Sequence, residues 1–173
     1  PLNCFTFEFH GFRALGIRTS DTGEDGFELM LAPAVAQHVL ETLYAAGIRP
    51  AGFEALEAAR VEAAIPAYAS DLEPGLSPAE ADLDTLLGIP GGPDARILTG
   101  LLLDAPNPLP PGTPVTFGGE PAGEIRSSVV SPGLNATIAL GIIDTRYAFP
   151  GRELDADGVR ATVVAKPFYR KRG

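Results

Sequence analysis

The 173-residue sequence is poor in several residue types, and each shortage excludes a class of protein. It has a single cysteine, Cys4, which cannot form an intramolecular disulfide or a metal–thiolate cage by itself. This fits a reducing compartment, and we therefore expect a cytoplasmic protein. No apolar run approaches the roughly 20 residues of a membrane-spanning helix, so we predict no membrane association.

Positive charge is also scarce. Thirteen Lys and Arg residues stand against 22 Asp and Glu residues, which gives a formal net charge of −9. A protein that binds the nucleic-acid backbone needs a basic face, so this balance argues against nucleic acid as a partner. The basic cluster Arg170-Lys171-Arg172 is typical of a solvated terminus, and a docking patch for an acidic partner is the alternative interpretation.

The chain reads as two unlike pieces. Residues 12–87 mix strand and helix patterns, whereas residues 95–169 are almost wholly β in character. Between them lies Gly88-Ile-Pro-Gly-Gly-Pro93, the densest cluster of chain-breaking residues. We therefore predict an α+β domain over residues 1–90, followed over residues 91–173 by a β domain that is a small barrel or sandwich.

Periodicity and chain-breaking residues predict the individual elements. The first piece has predicted strands at Phe12–Thr19 and Phe27–Leu31, and predicted helices at Pro33–Gly47, Phe53–Ala64 and Pro78–Leu87. The third helix is predicted to open with the capping box Ser77-Pro-Ala-Glu80. Five strands are predicted in the second piece: Arg96–Leu103, Pro114–Phe117, Gly123–Val130, Thr137–Asp144 and Val159–Lys166.

Arg60 is the most informative single residue. At 100° per residue it falls in the middle of the apolar stripe formed by Phe53, Leu56 and Ala63. Burying an unpaired guanidinium is costly, so Arg60 should have an anionic partner. Two interpretations stay open: an internal ion pair, with Glu57 or a carboxylate from a neighbouring strand, or an anchor for an anionic ligand in a pocket.

Glu28 is the polar member of an otherwise apolar strand, on the face opposite Phe27 and Leu29. Such a position usually belongs to a half-exposed strand whose polar side faces water. The alternative is a pocket carboxylate that accepts hydrogen bonds from a ligand with paired N–H donors.

The pattern of possible metal ligands predicts no metal site. The loop from Asp21 to Gly26 has acidic residues at two EF-hand positions, but Gly23 occupies the third position and Ala32 the twelfth, where a bidentate Glu is required. Calcium is therefore excluded. Neither His10 nor His38 has a second histidine at ligand spacing, so both are interpreted as structural.

Several motifs resemble one family. They are Thr22-Gly-Glu-Asp-Gly-Phe-Glu28, Ala58-Ala-Arg60-Val-Glu-Ala-Ala-Ile-Pro66 and, in the β piece, Gly123-Glu-Ile-Arg-Ser-Ser-Val-Val-Ser-Pro-Gly133. Together they resemble the folate-binding aminomethyltransferase superfamily, which holds the T-protein of the glycine cleavage system and the YgfZ-type proteins linked to iron–sulfur cluster maintenance. The resemblance covers about residues 12–169.

The resemblance implies a fold, a ligand and site residues. The chain would be the C-terminal portion of the family's folate-binding α+β domain followed by its C-terminal β-barrel, with tetrahydrofolate as the cofactor. Glu28 matches the carboxylate that hydrogen-bonds the folate pterin, and Arg60 matches the arginine that anchors the folate. Asp21 stands where the family usually has a tyrosine near the folate, so it is expected to line the same site.

Two departures from the family bear on the function. The aspartate that glycine-cleavage enzymes use for catalysis belongs to a segment ahead of these residues, so the catalytic residue is unknown. The Lys-Gly-Cys motif of YgfZ-type proteins is absent from Ala81–Asp94. The barrel segments Ser127-Ser-Val-Val-Ser-Pro132 and Ile138-Ala-Leu-Gly141, with the compact ending, nevertheless resemble the YgfZ type more closely, which favours a folate binder that supports iron–sulfur enzymes. The alternatives are an aminomethyltransferase that takes a one-carbon unit from a lipoyl carrier protein, and a degenerate scaffold that no longer binds folate.

Overall fold

The computed structural model describes residues 3–9, 11–89 and 95–169. The chain divides into two compact units, Pro1–Leu56 and Glu57–Gly173. Three features of the sequence analysis lie outside the described residues: the predicted domain boundary after residue 90, the histidine His10 and the basic cluster at 170–172. The described elements are, in order, β1 (Asn3–Phe9), β2 (Phe12–Thr19), β3 (Gly26–Met30), α1 (Pro33–Ala45), α2 (Phe53–Glu62), α3 (Asp84–Leu87), β4 (Arg96–Leu103), β5 (Pro114–Phe117), β6 (Glu120–Ser131), β7 (Ala136–Asp144), β8 (Glu153–Ala156) and β9 (Val159–Val164).

The first unit is an antiparallel sheet in the order β1-β2-β3, followed by helix α1. Gly16 in β2 leaves room for a ring on its neighbour strand, because a Cβ there would come within 2.3 Å of the Phe5 side chain. Phe5 also meets Phe27 of β3 edge to face, with ring centroids 6.0 Å apart. Of this unit's described side chains, those of Ala14 and Val35 are buried, so its core is small.

The second unit contains a closed antiparallel barrel in the strand order β4-β7-β6-β5-β8-β9, and pairing of β4 with β9 completes the ring. The barrel interior is filled by buried side chains such as Leu101, Ile125 and Ile143. Strand β7 is buried on both faces, because Ile138, Leu140 and Ile142 point outward into a second cluster. That second cluster includes Leu98 of β4 and Val61 of α2.

The predicted fold class, an α+β region followed by a small barrel, is confirmed. The predicted helix Pro78–Leu87 is wrong. Its capping box does form, with the Ser77 amide 3.0 Å from Glu80 Oε2 and the Glu80 amide 3.0 Å from Ser77 Oγ. The helix then stops after one turn because Asp82 adopts a left-handed backbone conformation with φ of 58°, and helix α3 covers only Asp84–Leu87.

Two strands were missed by the sequence analysis. Strand β1 carries three phenylalanines at alternate positions, a pattern typical of a strand, although no strand was predicted there. Strand β8 is only four residues long, but the hairpin that follows it has a recognisable turn. Asp157 and Gly158 both have positive φ, 55° and 84°, which is the backbone of the Asp-Gly turns that favour tight hairpins.

Candidate functional site

Arg60 lies near the C-terminal end of helix α2 and is 6% exposed. Each of its five guanidinium N–H groups has an acceptor within the protein. Nε donates a hydrogen bond to Glu57 Oε2 at 2.9 Å. Nη2 donates to Glu57 Oε1 and to Ser127 Oγ, the latter at 2.7 Å. Nη1 donates to Asp71 and, at 3.4 Å, to the backbone carbonyl of Ile65. The guanidinium is therefore fully hydrogen-bonded inside this unit.

Asp71 is the buried carboxylate of this cluster and is fully inaccessible to solvent. It accepts hydrogen bonds from the Ala67 amide at 2.9 Å and from Ser127 Oγ at 2.5 Å, in addition to the bond from Arg60. Burial lowers the pKa of Arg60, but hydrogen bonds and charges from Glu57 and Asp71 outweigh it and leave the pKa above its ordinary value. Arg60 is therefore charged at every physiological pH.

Ser127 reaches this cluster because strand β6 contains a β-bulge. Ile125 pairs with Gly141 and points into the barrel, whereas Ser127 pairs with Leu140, which points outward toward α2. Between them Arg126 has no cross-strand partner. If Arg126 paired in regular register, Ser127 would share the inward face of Ile125. The bulge thus turns the serine to the side of the barrel where Arg60 lies.

Glu28 and Asp21 belong to the first unit. Glu28 lies in the middle of β3, opposite Ile17 of β2, and its side chain is exposed. Over the described residues, no group hydrogen-bonds or ion-pairs with the Glu28 carboxylate. Asp21 is exposed in the turn after β2 and accepts a hydrogen bond from Thr19 Oγ1 at 2.8 Å.

The sequence analysis foresaw part of the Arg60 cluster. The ion pair with Glu57 is confirmed. The second carboxylate comes from Asp71, which follows α2 in a loop, and not from a neighbouring strand. Ser127 was missed as a member of the cluster; the pair of serines at 127 and 128 within an apolar strand was the available signal.

Family models cover both units. Residues 2–89 match the GCVT N-terminal domain, and residues 96–170 match the glycine cleavage T-protein C-terminal barrel domain. The chain belongs to the glycine cleavage T-protein family. This confirms the resemblance at the level of the superfamily; the YgfZ branch within it stays a prediction.

Individual members of the T-protein family agree with this assignment. An aminomethyltransferase of Thermosynechococcus vestitus is 36% identical over 173 residues, which cover 89% of this chain and 47% of that protein. An aminomethyltransferase of Streptomyces avermitilis is 33% identical over 188 residues, covering 93% of this chain and 50% of that protein. The chain therefore spans about half the length of the curated relatives it matches.

A solved structure supports the fold. The crystal structure of glycine cleavage system aminomethyltransferase T from Bartonella henselae has a TM-score of 0.78 and 22% identity to this chain. It covers 90% of this chain, and the match spans 50% of the Bartonella chain. None of the helices that the structure describes here is long and apolar enough to cross a membrane.

Proposed function

We propose that this chain contributes to a tetrahydrofolate site and that the protein is an aminomethyltransferase of the T-protein type. Membership of the family supports folate as the ligand. The relatives' name, aminomethyltransferase, favours this activity over the YgfZ-type role in iron–sulfur maintenance. The YgfZ-type hypothesis rests on the sequences of the barrel segments 127–132 and 138–141 and is the second candidate.

The unpaired carboxylate of Glu28 is the observation that carries the proposal. A pterin presents adjacent N–H donors, and an ionised carboxylate can accept two of them at once. No described group forms a hydrogen bond or ion pair with the Glu28 carboxylate, so both of its oxygens are available to a ligand. Glu28 sits on a strand and not in a loop, so its backbone position is fixed by pairing of β3 with β2.

Arg60 fits a ligand carboxylate only by exchange, because all five of its N–H groups already have acceptors. Glu57 is the partner that can be exchanged: its side chain is 47% exposed, whereas Asp71 is fully buried. We propose that a folate carboxylate takes the place of Glu57 on Nε and Nη2, the two-pronged edge that suits a carboxylate. Asp71 and Ser127 would then keep the guanidinium in place.

The chain's own contribution to the reaction is to bind and orient. Tetrahydrofolate, when bound, supplies the nitrogen that accepts the one-carbon unit from the lipoyl carrier. Glu28 would fix a pterin in one orientation. Arg60 would bind a carboxylate of the ligand. Asp21 is proposed to line the pterin environment; the Thr19 hydroxyl occupies one of its oxygens. None of these residues is assigned a proton-transfer role.

Replacing Glu28 by glutamine is expected to weaken tetrahydrofolate binding about 10- to 100-fold, because a hydrogen bond to a charged group contributes about 1.5–3 kcal/mol. Isothermal titration calorimetry of the protein with tetrahydrofolate measures this directly. Glu41→Gln, on the exposed surface of α1, is the matched control and should leave the affinity unchanged. Equal affinities for Glu28→Gln and the parent protein would show that the assignment of Glu28 is wrong.

The same titration tests the exchange at Arg60. Glu57→Gln removes the competing carboxylate, so the affinity for tetrahydrofolate is expected to stay equal or increase. A loss of affinity would mean that Glu57 supports the site and that the ligand does not replace it.

Transferase activity separates the two candidate functions. A carrier protein loaded with an aminomethyl-lipoyl group is mixed with the protein and tetrahydrofolate, and methylenetetrahydrofolate and ammonia are measured. Formation of both supports the aminomethyltransferase. Intact folate binding without either product would favour the YgfZ-type binder, and loss of folate binding as well would favour a degenerate scaffold.

A further inference from the structure

A cluster of aromatic and arginine side chains lies on the barrel, where the β5–β6 hairpin meets the connection between β7 and β8. The guanidinium carbon of Arg152 lies 4.6 Å from the ring centroid of Phe117 and 4.3 Å from that of Phe149. Phe117 in turn packs against Tyr147, with ring centroids 5.0 Å apart. The Arg152 guanidinium thus lies within cation–π distance of two phenylalanine rings.

Arg152 has no acidic partner among the described residues, which distinguishes it from the other described arginines of the barrel. Those four all pair with carboxylates: Arg96 with Glu73 and Glu80, Arg126 with Glu73 and Glu124, Arg146 with Asp144, and Arg160 with Asp104. The Nε of Arg152 is buried without a hydrogen-bond partner, and no described residue accepts a hydrogen bond from its Nη groups.

We propose that Arg152, Phe117 and Phe149 form a docking point for an aspartate or glutamate side chain on the surface of a partner protein. A guanidinium offers parallel N–H groups that match the two oxygens of a carboxylate. Contacts with the two rings already restrict this side chain, so less of its freedom is left to lose when the carboxylate binds. The inference is independent of folate binding.

The surroundings of Arg152 favour a protein partner. Phe149 is 44% exposed, so it offers apolar area beside the charge, and arginine with aromatic residues is the composition typical of binding hot spots. The neighbouring Asp144 is already bound by Arg146, through Nε at 2.9 Å and Nη2 at 2.7 Å. The net charge of −9 repels anions from most of the surface, so an acidic segment would be directed to this point.

Nuclear magnetic resonance of the full chain tests the proposal without a variant. The Nε–H signal of Arg152 is expected to be displaced by the two ring currents and protected from exchange by burial. Titration with acetyl-Glu-Leu-Glu-amide should shift this signal in a saturable way, and acetyl-Gln-Leu-Gln-amide should not. Equal shifts with both peptides, or no shift with either, would overturn the proposal. Inorganic phosphate is the third probe: binding as tight as that of the glutamate peptide would assign the point to phosphate groups instead.

A substitution at Arg152 provides a second, independent test of the proposal. Arg152→Lys keeps the charge but loses the planar fork, and we expect it to weaken binding of the glutamate peptide at least tenfold. Arg160→Lys, whose arginine is exposed and paired with Asp104, is the control and should bind the peptide as the parent does. Equal binding by Arg152→Lys and the parent protein would also overturn the proposal.

Discussion

Replacing Asp71 by alanine is expected to lower the free energy of unfolding of the barrel unit by about 3–5 kcal/mol. The substitution leaves the buried Arg60 with one carboxylate, Glu57, which is half exposed. It also leaves the Ala67 amide and the Ser127 hydroxyl without their acceptor. Removing one partner of a buried ion pair is costly because the remaining charge has lost both water and its counterion. Native-state hydrogen exchange of the β6 and β7 amides measures this loss in the barrel itself.

The control is an ion pair on the surface of the same unit. Asp104 pairs with Arg160 at 2.6 Å, but the two side chains are 67% and 59% exposed. Asp104→Ala is therefore expected to cost less than about 1 kcal/mol. If Asp71→Ala cost no more than Asp104→Ala, then Glu57 alone would be compensating the charge of Arg60, and the buried network would have no stabilising role.

Replacing Gly123 by alanine is expected to have the second large effect, lowering the free energy of unfolding of the barrel unit by about 2–6 kcal/mol. A Cβ at this position would lie 2.1 Å from the backbone oxygen of Ile142 on the paired strand. Backbone cannot move aside as a flexible side chain can, so the β6–β7 pairing would have to open locally. The φ of Gly123 is 149°, a conformation that L-residues rarely adopt, and this adds strain to the collision. Hydrogen exchange of the β7 amides reports both contributions.

A comparison with Gly158→Ala separates the cost of backbone strain from the cost of the steric clash at Gly123. Gly158 has a φ of 84° in the hairpin between β8 and β9, and a Cβ there would have nothing within 4 Å. Its expected cost is therefore the conformational part alone, about 1–2 kcal/mol. A loss at Gly123 no greater than at Gly158 would show that the paired strand accommodates the added methyl group.

The parts of the fold that follow local patterns could be predicted from the sequence. The alternating and apolar runs located β2, β4 and β7, and the apolar stripe of α2 singled out Arg60 as a buried charge that needs a counterion. Glu57 could be named because it lies one helical turn away, where side chains on a helix meet. Each of these inferences needs only residues that are near one another in the chain.

The parts that depend on distant residues could not be predicted. Asp71 reaches Arg60 because the loop after α2 folds back toward the helix. No pattern in residues 63–71 predicts this course of the backbone. The helix predicted from Pro78 fails because Asp82 adopts a left-handed conformation that an aspartate tolerates but does not require. Whether Glu28 and Asp21 bind folate stays a prediction, because it concerns a ligand and not the pattern of a strand.

The bulge makes Arg126 the one position in this part of β6 on which the pairing register does not depend. The side chain of Arg126 pairs with Glu73 and Glu124, partners that another long polar residue could share. Deleting the residue would leave Ile125 opposite Gly141 and Ser127 opposite Leu140 in regular pairing, so the inside–outside parity of every position from Ser127 onward would be kept. Both substitution and loss of residue 126 are therefore expected to leave the serine of the barrel facing the arginine that it holds.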